Sequence, residues 1–60
     1  MSATEAREWL KMAVATATGR EILRDMGLGA IIKAPEKGDD ASTIAVVQRA
    51  KEEMSRRYGL

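Results

Sequence analysis

Sixty residues, ten of them basic and nine acidic, carry a net charge of +1 and include neither cysteine nor histidine. That balance gives no whole-molecule field to steer the chain toward nucleic acid or an acidic substrate, and it removes disulfides, thiolate ligands and the commonest zinc ligand together. The length makes one small domain, residues 1–60, which hides only about 60% of the surface its unfolded chain exposes. Small scaffolds usually gain support from disulfides, a metal or a partner, and here assembly with another protein is what remains. Trp9 and Tyr58 are the only aromatic residues, so the core is built from Leu, Ile, Val, Met and many alanines. Alanine covers little area, and each buried methylene contributes only about 0.8 kcal/mol.

Ser2-Ala3-Thr4-Glu5 spells a capping box, in which the serine hydroxyl and the glutamate each satisfy an amide that the first turn leaves orphaned. A helix from about Ala3 to Ala17 follows, with Ala6, Trp9, Leu10, Ala13, Val14 and Ala17 on one face. Ordinary core packing accounts for that stripe. Its small residues Ala13 and Ala17 also suit a self-association seam anchored on Trp9. Near Thr18-Gly19 the stripe breaks phase, because Ile22, Leu23 and Met26 project to the opposite side. Thr18-Gly19-Arg20-Glu21 reads as a second capping box, so a short helix is expected from about Gly19 to Met26. Gly27 then serves as its left-handed terminator, with Leu28 folding back on Leu23 in a Schellman arrangement.

Alternation of Ile22, Arg24 and Met26 with Glu21, Leu23 and Asp25 supports a rival reading, a β-hairpin turning at Gly27 and Gly29 into Ala30-Ile31-Ile32-Lys33. Leu, Arg, Glu and Met favour the helix. From Gly29 to Lys37 an extended connector is expected, since Ile31 and Ile32 are β-branched and Ala34 precedes Pro35. Pro35 to Asp40 makes a solvated turn.

The last helix is signed at both ends. Asp39, Asp40 and Ser42 offer N-cap oxygens, Gly59 offers the left-handed stop, and Ile44, Val47, Ala50, Met54 and Tyr58 share one face from about Ala41 to Tyr58. Leu60 is expected to pack back on Met54 as Leu28 does on Leu23. Glu52 with Arg56, and Glu53 with Arg57, are favourable pairs one turn apart on the outer face. Lys51 falls inside the apolar stripe, where it either snorkels at the edge or meets an acid on a partner chain.

Chemistry is thinly supplied. Ser2, Ser42 and Ser55 have no histidine to activate them. Asp39 and Asp40 are neighbours in a turn and do not converge across a cleft. They also fail to begin a calcium loop. Gly27-Leu28-Gly29 lacks the following Lys-Ser/Thr of a phosphate cradle. No enzyme activity, cofactor or metal is expected. A basic stripe of Arg49, Arg56 and Arg57 is the candidate nucleic-acid contact, although Glu52 and Glu53 interrupt it. Glu5, Arg7 and Glu8 break any signal-peptide core, and the weakly polar run from Met12 to Thr18 is far shorter than the ~20 residues of a membrane span. A soluble, cytoplasmic protein is expected.

The sequence therefore predicts an all-α domain: two long antiparallel helices, a short middle helix and an extended connector, with helix–hairpin–helix as the alternative. Its expected role is that of a non-enzymatic adaptor or structural subunit, assembling with itself or with a larger protein. The size suits a phage or mobile-element assembly protein or a small protein inhibitor. A DNA-binding accessory using the basic last helix is the alternative. Expected protein contacts are Trp9, Met12, Ile31, Ile32, Met54 and Tyr58, more apolar bulk than so small a chain hides.

Overall fold

Ser2 opens the first helix as its spacing implies: in the computed structural model, which describes residues 1–59, its Oγ accepts the Glu5 amide at 3.1 Å and donates to the Glu5 carboxylate at 3.2 Å. Helix α1 runs Ala3–Val14, α2 Ala17–Asp25, α3 Gly29–Lys33 and α4 Asp40–Tyr58. The described residues contain no strand, so the all-α reading holds and the hairpin alternative does not.

The break after α1 comes earlier than the second capping box suggested. Thr16, not Thr18, caps α2, with an extended backbone (φ −114°, ψ 149°). Its hydroxyl serves both helices at once, donating to the Ala13 carbonyl at 3.0 Å and accepting the Gly19 amide at 3.0 Å. Arg20 donates to the Val14 carbonyl at 2.9 Å, so two carbonyls that the end of α1 leaves orphaned are satisfied from the start of α2. Ala17 consequently belongs to the start of α2 and is exposed, outside the α1 stripe in which it was expected. The tight corner also presses Gly19, which is buried, against the Ala13 backbone.

Gly27 ends α2 as predicted. At φ 76° it lets its own amide reach the Arg24 carbonyl at 3.0 Å and the Leu28 amide reach the Leu23 carbonyl at 2.8 Å, the two bonds of a Schellman motif. The connector expected to be extended is helical instead over Gly29–Lys33. An isolated strand would leave its backbone groups unpaired, whereas one helical turn closes bonds such as Ile31 N to Leu28 O at 3.0 Å within itself. Ile31 and Ile32 are half-buried against the core from this turn. The chain leaves helical geometry at Ala34, where the following Pro35 disfavours it.

Asp39 opens α4 by accepting the Ser42 amide at 2.7 Å. Gly59, at φ 68°, closes it with a bond to the Ser55 carbonyl at 2.8 Å. Leu60, expected to fold back on Met54, lies outside the described residues.

Ala6, Leu10, Leu23, Val47 and Ala50 form the central cluster, with Ile22 and Ala13 also buried. Only Leu10, Ile22, Leu23 and Val47 are large side chains fully withdrawn from solvent. Contacts made from successive positions along α1 and just beyond it set its direction against α4. Arg7 reaches the Asp40 carboxylate and the Gly38 carbonyl, both at 2.8 Å, at the start of α4. Near the far ends, Met54 shares a surface hollow with Met12 and Thr16. Like ends of the long helices therefore lie together, which corrects the antiparallel expectation. The physical reason is that α2, α3 and the turn before Asp40 together form the return path. Among the described residues no helix is long and apolar enough to cross a membrane.

Ion pairs tie the ends of this framework. Lys11 meets Glu36 at 2.7 Å, and Arg57 joins Asp25 at 2.7 Å to Glu53 at 2.8 Å. Arg56 also pairs with Glu53, and not with the Glu52 one turn away that sequence spacing favoured. The Lys11 hydrogen bond and charge hold the Glu36 carboxyl below the usual range. The Ser42 amide does the same for Asp39, and hydrogen bonds from Arg57 and Arg56 do so for Glu53. A carboxyl depressed in the folded state adds stability above its unfolded pKa and loses it as pH falls through the folded one. The melting temperature should hold from neutrality to about pH 5 and fall below about pH 4. Circular dichroism melts across that window check this, and a curve flat to about pH 2 would contradict it.

Candidate protein-contact site

Trp9 and Met12 stand one turn apart on one face of α1, and Thr16, the cap of α2, lies just beyond its end. Lys51, Met54 and Tyr58 recur at three- and four-residue steps on α4. Because like ends of the two helices lie together, these faces run side by side. Between them is a shallow hollow of about 210 Å³, lined by Trp9, Met12, Ala13, Thr16 and Met54.

Exposure within this site is uneven in an informative way. Trp9 and Met54 are half-buried and lean on the framework, while Met12 is 71% exposed. Tyr58, 48% exposed, lies one turn beyond Met54. The Lys51 ammonium sits 6.0 Å from the centroid of the Trp9 ring, at the outer limit of a cation–π contact. Lys51 is itself exposed, as a lysine at the edge of the apolar stripe is expected to be. Among the described residues no carboxylate lies within ion-pairing distance of it.

Of the six apolar residues expected to make contacts, the structure brings Trp9, Met12 and Met54 together and sets Tyr58 on the same side of α4. Ile31 and Ile32 sit apart on α3, where Ile31 lines a separate small cavity with Leu10, Pro35 and Val46. Sequence reasoning passed over Thr16 as a lining residue, although its spacing from Trp9 and Met12 was visible. It had been absorbed into a helix that in fact ends two residues earlier.

The candidate nucleic-acid residues are arranged differently. Arg49 and Arg56 border a surface hollow of about 320 Å³ together with Met26, Glu52 and Glu53. Arg57 turns away toward Asp25, and both Arg56 and Arg57 engage Glu53. Two of the three cations are therefore already opposed by carboxylates. Ser2 and Asp39 cap helices, as their positions suggested, and Ser42 supplies the backbone amide that Asp39 accepts and not the capping oxygen expected of it. Among the described residues no three acidic side chains converge as a metal site.

No protein-family description matches the chain, and no curated protein or solved structure is significantly similar to it.

Proposed function

We propose that this chain is a small non-enzymatic adaptor or structural subunit that works by associating with itself or by docking onto a larger protein. The observation that carries the reading is the α1/α4 hollow, where the exposed Met12 stands beside Trp9 and Met54. At about 210 Å³ it is smaller than the ~300–1,000 Å³ of small-molecule sites and suits protein side chains better. Size alone speaks for an assembly protein of a phage or other mobile element, or for a protein inhibitor.

Sedimentation equilibrium at micromolar concentration, and co-purification of the tagged chain from its native source, test the reading together. A self-associated species or a specific co-purifying protein is expected, lost in Met12→Glu while the far-ultraviolet spectrum stays unchanged. A monomer that brings down nothing sensitive to Met12→Glu would overturn the proposal. The alternative, DNA contact through Arg49 and Arg56, predicts binding to random duplex DNA that weakens steeply with added salt.

A further inference from the structure

We infer that the α1/α4 groove receives an amphipathic helix of a partner protein, which places apolar side chains in the Trp9/Met12/Met54 hollow and a carboxylate against Lys51. The inference rests on the adaptor reading and names the partner's chemistry. Three observations point to it. The hollow is concave and apolar, flanked by two helices whose exposed faces run side by side, the arrangement into which a third helix packs. Trp9 and Met12 stand one turn apart on α1, with Thr16 just beyond its end and Met54 opposite on α4, which suits apolar anchors one and two turns apart on an incoming helix, at i, i+3 or i+4, and i+7. Lys51 stands at the rim beside Trp9 with no acidic partner among the described residues, so a carboxylate arriving there meets an uncommitted cation on an aromatic face.

An anionic membrane is the weaker occupant. Lipid recognition draws on clusters of about 4–8 basic residues, whereas among the described residues no cation lines this hollow, Lys51 reaches it only at the Trp9 ring, and Glu5 shares the α1 face with Trp9 and Met12. A second copy of the chain is weaker for a related reason. The described lining of the hollow, Trp9, Met12, Ala13, Thr16 and Met54, carries no acid for the Lys51 of another copy to meet.

Selection from a displayed library of helical peptides of about 15 residues, against the full chain, tests the inference. Enriched peptides should carry apolar residues at i, i+3 or i+4, and i+7, with Asp or Glu at one flank. Their binding should shift the emission of Trp9, the only tryptophan. Met12→Glu should weaken them by about tenfold or more. Lys51→Glu, at an exposed position that preserves the fold, should exchange the enriched flank from acidic to basic. Enrichment without acid, the same peptides selected by Lys51→Glu, or binders that leave Trp9 emission unchanged would overturn the inference. So would a Trp9 shift produced by phosphatidylserine vesicles and by no peptide. Association sensitive to Met12→Glu but indifferent to Lys51→Glu would sink this inference and leave the adaptor reading standing.

Discussion

Gly19→Ala should remove much of the stability of the fold, although helix propensity alone predicts a gain. Within a helix, alanine is favoured over glycine by about 1 kcal/mol. At Gly19, however, a Cβ would lie 2.7 Å from the carbonyl carbon of Ala13 and 2.8 Å from its Cα, and closer still to its oxygen. Those are backbone atoms at the α1/α2 corner, and they cannot turn aside as the tip of a side chain would. The same Ala13 carbonyl accepts the Thr16 amide and hydroxyl, so moving it disturbs both caps of the corner. Overpacking of this kind costs about 1–3 kcal/mol or more, against a total stability of about 3–5 kcal/mol for a chain this small. Gly29→Ala is the control. Nothing lies within 4 Å of its Cβ position, and the residue is helical, so a gain of about 0.4–1 kcal/mol is expected. Urea titrations followed at 222 nm measure both, and a stable Gly19→Ala would show that α1 and α2 do not meet at this corner.

Leu10→Ala is the second large effect. Leu10 is 1% exposed and belongs to the cluster that joins α1 to α2 and α4. Comparable truncations cost about 2.7–5 kcal/mol. With three other large side chains fully buried, the loss approaches the whole stability of the fold. Met12→Ala, two residues along the same helix and 71% exposed, should change stability by no more than about 0.5 kcal/mol. Equal losses at the two positions would contradict the assignment of the buried face.

Much of the local structure was legible in the sequence because it is governed by contacts within a few residues. The Ser2 capping box, the Asp39 cap, the Schellman turn at Gly27 and the left-handed stop at Gly59 each depend on one residue type at one offset. Apolar periodicity picked out the buried faces of α1 and α4, including Ala6, Leu10, Val47 and Ala50. The capping-box spacing pointed to Thr18 as the cap of α2, whereas Thr16 takes that place, with Gly19 buried against the Ala13 backbone. Propensity likewise made Ile31 and Ile32 look extended, and the lack of any strand to pair with made them helical.

The contact site divides along the same line. Trp9, Met12 and Met54 were recognisable as apolar bulk in excess of what a sixty-residue chain hides. That they meet, that Ile31 and Ile32 stand elsewhere, and that Lys51 lies over the Trp9 ring follow from the direction in which α4 crosses α1. By itself the sequence determined that α1, α2 and α4 are helical, where each of those three begins or ends, and that neither disulfides nor thiolate or histidine metal sites support the fold. Only the tertiary structure decided that like ends of the long helices lie together, because helix direction depends on how the intervening residues return the chain, and no short-range pattern encodes that path.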